Sequence, residues 1–172
     1  TSALVMAGPT PSPAGSPNDS KFVESWNGSA WTEVADTINN GISSGAGGAS
    51  NTSTVVYGCS PGDGTRTELW NGSSWTEVAD MNTSKFQIPS HGIATAALRI
   101  GGRTPDSGDN DCERWNGTSW ANVANLNTLA FFAAGTGTSS LGLRAMGPGS
   151  GNTAVSEEYY FSGQLYPKTV GE

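Results

Sequence analysis

Histidine occurs once in this 172-residue sequence, cysteine twice, and lysine plus arginine eight times. Each shortage excludes a class of chemistry. Any Ser-His-Asp or Cys-His site would have to use His91, and a structural zinc site ordinarily draws on several Cys and His ligands. Cys59 and Cys112 lie far apart and neither belongs to a CxxC pair. They build no disulfide framework and read as two independent small apolar residues. With a net charge of −7, no basic patch is present to meet a phosphate backbone, so nucleic-acid binding is not expected. No apolar run approaches the roughly 20 residues of a membrane helix, so membrane insertion is not expected either. Charged side chains make up 13% of the chain, about half of the usual share.

The composition is rich in small and polar residues, with 24 Gly among many Ser, Thr, Asn and Ala. Gly loses entropy in a helix, and Ser, Thr and Asn compete for its backbone hydrogen bonds. Short strands joined by tight turns suit these residues better. A weakly charged Gly/Ser chain can also be disordered. Six Trp, five Phe and four Tyr argue against that.

The Trp residues recur at a fixed interval. Residues 24–36 read ESWNGSAWTEVAD, residues 68–80 ELWNGSSWTEVAD and residues 113–125 ERWNGTSWANVAN. Trp26, Trp70 and Trp115 are spaced 44 and 45 residues apart, and a further 45 lands on Tyr160 in EEYYFSG. A second landmark repeats with them, a short apolar run ending in Gly8, Gly58, Gly101 or Gly147. Asn-Gly between extended segments is a strong hairpin signal, because both residues tolerate positive φ. A four-residue loop there sets Trp26 against Trp31, Trp70 against Trp75 and Trp115 against Trp120 across a hairpin. The Gly/Ala/Ser stretches 41–50, 86–95 and 130–139 read as inner strands, where sheets converge on an axis. Each unit is thus expected to be four antiparallel strands.

Four-stranded units at this period indicate an all-β propeller. One domain over 1–172 is expected, with units at about 2–36, 37–80, 81–125 and 126–170. About four blades would form a small closed ring or an open arc.

The Gly101-Gly102 pair, Trp115-Asn116 and Trp120 resemble the kelch-type propeller repeat over residues 2–166. Only one unit has the double Gly, Asn stands after the first aromatic where Asp is usual, and the Arg common near the inner strand is missing. The wording WNGSSWTEVADMNTS resembles a divergent branch of this repeat in virion proteins of marine tailed bacteriophages. That resemblance implies a tail fibre, tail knob or capsid decoration at the virion surface, in contact with other virion proteins. It also implies many copies or a homo-oligomer, and contact with a glycan or receptor of the host surface.

Several residues bear on chemistry. Asp106, Asp109 and Asp111, with Glu113, crowd oxygens into 105–113 as a hard cation such as Ca²⁺ would require. The spacing does not match an EF-hand, and these are ordinary turn residues, so no metal and no cofactor is assigned. Glu24, Glu68, Glu113 and Glu158 recur two residues before the aromatic. Paired carboxylates hydrolyse glycosides, but one Glu per unit is what repetition produces, so a structural role is expected. The loops 9–21, 59–66, 102–111 and 148–155 vary most and are the expected recognition rim. The function expected is non-enzymatic, structural or adhesive. A secreted or cell-surface lectin is the alternative.

Overall fold

The computed structural model describes residues 2–6, 21–39, 45–58, 64–104, 107–129, 134–145 and 156–160. Among them every regular element is a strand. The first sheet holds β1 (Ala3–Met6), β2 (Val23–Trp26) and β3 (Trp31–Val34). The second holds β4 (Gly45–Ser50), β5 (Ser53–Tyr57), β6 (Thr67–Trp70) and β7 (Trp75–Glu77). β8 (Ser90–Ile93), β9 (Ala96–Arg103), β10 (Gly108–Trp115) and β11 (Trp120–Val123) make the third. β12 (Ala134–Gly137), β13 (Leu141–Ala145) and β14 (Ser156–Tyr160) make the fourth. Each sheet is an antiparallel meander in chain order. The chain is therefore all-β, with four small sheets of three or four strands.

The Asn-Gly turns set the hairpin register. Asn71 N–H donates to the Ser74 carbonyl at 3.3 Å, and the Asn71 Oδ1 accepts the Ser73 and Ser74 N–H groups. Gly72 sits at φ 98°, where a side chain is strained. The same turn closes at Asn27 and Asn116. It pairs Trp26 with Trp31, Trp70 with Trp75 and Trp115 with Trp120 across the strands. The rings lie 5.3, 5.2 and 5.5 Å apart and tilted.

Consecutive sheets stack face on face, each pair around its own apolar cluster. Val23 of the first sheet meets Val56, Trp70 and Trp75 of the second, with Leu4, Met6 and Val34 at the edge. Val55 and Tyr57 meet Ala97, Trp115 and Trp120 of the third. Leu98, Ile100 and Cys112 meet Tyr159 of the fourth, over Leu126. The small-residue strands lie side by side, β4 against β8 and β8 against β12.

The segment 102–111 departs from the expected loop. Strands β9 and β10 run on into it, with Gly102 opposite Asp109 and Arg103 opposite Gly108, and Thr104 N–H donating to the Ser107 carbonyl beyond them. The Lys85 ammonium, itself buried, draws Asp109 and Asp111 down onto the sheet and holds this extension in place. Gly8, Gly147, Asp106, Cys59, the expected loop 148–155 and all of the loops 9–21 and 59–66 except residues 21 and 64–66 lie outside the described residues.

Candidate functional site

The chemistry-bearing residues of this chain gather at the joints between sheets. Glu68, Glu113 and Glu157 are each buried, on the sheet face that looks back at the preceding unit. Glu68 accepts the N–H groups of Ile38 and Asn39 at 2.9 and 2.7 Å, and the Asn39 amide at 3.0 Å. Glu113 accepts Asn82 N–H at 2.7 Å, Thr83 N–H at 3.1 Å and the Thr83 hydroxyl at 2.7 Å. Glu157 accepts Asn127 N–H at 2.9 Å, Thr128 N–H at 3.2 Å and the Thr128 hydroxyl. In every case the donors belong to the segment that leads from the outer strand of the preceding sheet into the sheet that carries the glutamate. The carboxylate thus clips two successive backbone donors of the segment joining the two sheets into a charge-assisted contact.

Two of the three clips carry a buried guanidinium. Arg99 faces Glu113 in the β9–β10 register and reaches it at 2.7 Å. Arg144 faces Glu157 in the β13–β14 register and reaches it at 3.0 Å. The register places Val56 at the corresponding point opposite Glu68. Arg99 also bonds both carboxylate oxygens of Asp111 at 3.0 Å, with Thr83 between them. Burial alone would raise the Asp109 and Asp111 carboxyls. The Lys85 and Arg99 contacts outweigh it and hold both below the ordinary carboxylate range. Asp109 and Asp111 are thus already paired with the protein's own cations. Among the described residues no group of three or more His, Cys, Asp or Glu could hold a metal ion.

The indoles reinforce the joints. Trp75 Nε1–H donates to the Ala35 carbonyl of the preceding sheet at 2.9 Å, and Trp120 Nε1–H to the Thr67 hydroxyl at 2.9 Å. Trp70 and Trp115 donate within their own sheets, to the Asn51 and Ala94 carbonyls. Trp70, Trp75, Trp115 and Trp120 are buried. Trp26 is half-buried and Trp31 is exposed, and Glu24 beside them is exposed as well.

The fourth unit is shifted by one residue from its expected place. Arg144 lies opposite Glu157, as Arg99 lies opposite Glu113, so Glu157 and Tyr159 occupy the Glu and aromatic positions. Tyr159 is buried in the joint, whereas Tyr160 is exposed and donates its hydroxyl to Glu158. Spacing pointed to Tyr160 because two adjacent tyrosines follow two adjacent glutamates, and strand alternation decides which pair faces inward. The arginines escaped the sequence reading, although the Leu-Arg dipeptides at 98–99 and 143–144 recur 45 residues apart. So do Asn82-Thr83 and Asn127-Thr128, which supply the donors.

The remaining candidates have structural surroundings. Gly58 and Gly101 lie at φ 72° and 57°, Gly58 just past the end of β5 and Gly101 inside β9, at left-handed backbone positions. Burial pushes the Cys112 thiol up to about 11, so it carries little thiolate at neutral pH. His91 lies buried on β8 against Gly142 of the fourth sheet, where an added Cβ would come within 2.5 Å of Nε2. Burial holds its pKa below the ordinary imidazole value, and a weak contact with the Thr138 backbone offsets this only in part. The outer face of the fourth sheet borders an open cleft of about 280 Å³ lined by Leu141, Leu143, Glu158 and Tyr160, among others.

No protein-family model and no curated protein matches the chain. Solved structures do. The chain is similar in fold to a protein described as "Structure of YjhT", with a TM-score of 0.67 and 12% sequence identity. The match covers 87% of this chain and 52% of that one, so this chain spans about half the length of its structural neighbour.

Proposed function

We propose that the four sheets are kelch-like propeller blades, and that the chain is a non-enzymatic structural or attachment component displayed on the surface of a tailed-bacteriophage virion. The observation that carries the non-enzymatic part is the fate of the recurring carboxylates. Glu68, Glu113 and Glu157 point into joints, and their oxygens are filled by backbone N–H groups, hydroxyls and guanidinium groups of the same chain. A general acid or base must instead reach a substrate proton. The virion part rests on the WNGxSWTEV wording of the repeat. A hydrated surface of Ser, Thr, Asn and Gly suits contact with other virion proteins and with neutral glycans, and many weak contacts on one particle add up by multivalency.

Antibody fragments against the purified chain test this reading. They should decorate the tail or capsid of intact particles in electron micrographs, and a multimer of the chain should compete with particle adsorption to host cells. Absence of labelling on particles that contain the chain overturns surface display. Turnover of any glycan, abolished by changing one carboxylate, overturns the non-enzymatic reading. The second reading is a secreted lectin, favoured by the cleft beside Tyr160 and Glu158. It requires glycan binding by the chain outside any particle.

A further inference from the structure

Strand register aligns the fourth sheet with the third residue by residue, because Arg144 and Glu157 stand where Arg99 and Glu113 stand. The forward face of the third sheet carries Leu98, Ile100, Cys112 and Arg114, and the first three of these form the core of a joint. The matching positions of the fourth sheet hold Leu143, Ala145, Ser156 and Glu158. Ala and Ser replace Ile and Cys, so this face has less apolar surface to bury than a joint face has. Two large side chains stand at its edge instead. Leu141 takes the place of Ala96, and Tyr160 the place of Asn116, which opens the Asn-Gly turn in the third sheet. With Thr136 these side chains line the open cleft of about 280 Å³. The residues that break the repeat are thus the ones that line the cleft.

The lining is amphipathic. Leu141, Leu143 and the ring of Tyr160 offer apolar surface, and the ring is within reach of solvent, Tyr160 being 40% exposed. Glu158 offers a carboxylate, oriented by the Tyr160 hydroxyl that donates to it at 2.5 Å. That bond occupies one of about four acceptor positions on a carboxylate. A pyranose is amphipathic in the same way, with a face of C–H groups and a rim of hydroxyl donors. We infer that this cleft binds a neutral pyranose of a glycan, with the Tyr160 ring against the C–H face of the sugar and the Glu158 carboxylate accepting its hydroxyls. Uronates and sialic acids are disfavoured, because their carboxylates meet Glu158 on a chain of net charge −7. This site presupposes the glycan contact proposed above and gives it a place and a sugar class.

Saturation-transfer NMR on the full 172-residue chain tests it, with methyl β-glucoside, methyl β-galactoside and methyl α-mannoside as neutral probes and methyl β-glucuronide as the charged one. At least one neutral glycoside should receive saturation from the chain, and the glucuronide should not. Tyr160→Ala should weaken that binding about tenfold or more, as loss of a central aromatic contact does. Glu158→Gln should weaken it as well. Circular dichroism verifies that each variant is folded, and Leu141→Asn replaces Tyr160→Ala should the latter not fold. Binding that is unchanged in the variants overturns the site and leaves a glycan contact elsewhere on the chain. Binding of no neutral glycoside also overturns it, while competition of the multimer with particle adsorption decides the attachment reading independently. Glucuronide binding as strong as that of the neutral glycosides overturns the assignment to neutral sugars.

Discussion

Arg99 shows how a single side chain holds two units together. Its guanidinium is fully buried and serves Glu113 and Asp111 at once, with the Thr83 hydroxyl bridging to the neighbouring turn. Removing one partner of a buried pair strands the other charge, so Arg99→Ala should cost about 3–5 kcal/mol in urea unfolding. Arg99→Lys should recover only part of that, because an ammonium cannot reproduce the planar fork. His91 is the opposite case, a buried ring with no charged partner among the described residues. Burial lowers its folded pKa below the unfolded value of about 6.5, so the neutral form is the one the fold accepts. The stability this contributes is present above the unfolded value and declines as pH falls below it. The thermal midpoint should therefore drop between neutral pH and pH about 5.5, and His91→Gln should flatten that drop. An equal drop in both proteins would assign the pH dependence to other groups.

At the scale of the element, the hairpin with its two indoles is one repeated part in two different settings. Trp75 is buried against the first sheet and hydrogen-bonded to Ala35, while Trp31 stands on an open face. Trp75→Ala should cost about 3–5 kcal/mol, as large core truncations do, and Trp31→Ala far less, by equilibrium unfolding. The hairpins were fully legible in the sequence because Asn-Gly chemistry and the Trp spacing act within a dozen residues. The strand that follows Asn-Gly and the small-residue strands were legible for the same local reason. The long β9–β10 extension was not. Asp, Ser, Gly and Asn predict a loop by propensity, and only the distant Lys85 and Arg99 turn their carboxylates into sheet contacts. The Glu clips were half legible, since periodicity marks the glutamates but does not show that their donors come from the segment entering the sheet about 30 residues earlier. The one-residue slip at Tyr160 has a similar cause, because spacing cannot replace register where a residue and its neighbour are chemically alike.

At the scale of the whole molecule, the chain is a series of sheets in which each unit touches mainly the next. Stability in such an array is a sum of unit and joint terms. The three joints are not equal, since two contain a buried Arg–Glu pair and the first relies on backbone donors, an Asn amide and the Trp70–Trp75 pair. The first unit also has an end face that no described residue covers, so it should open before the others. In hydrogen exchange the amides of β1–β3 should lose protection ahead of those of β9–β11. Protection that is uniform along the chain would contradict a series of separable joints. The central claim is that the recurring glutamates are joints and not sites. Its most direct measurement is calorimetric unfolding of Glu68→Gln and Glu113→Gln beside the parent, with each protein also assayed for glycan binding and hydrolysis. The account predicts a lowered melting temperature for both variants and no change in any binding that the parent shows. Unchanged melting with lost binding or turnover would contradict it.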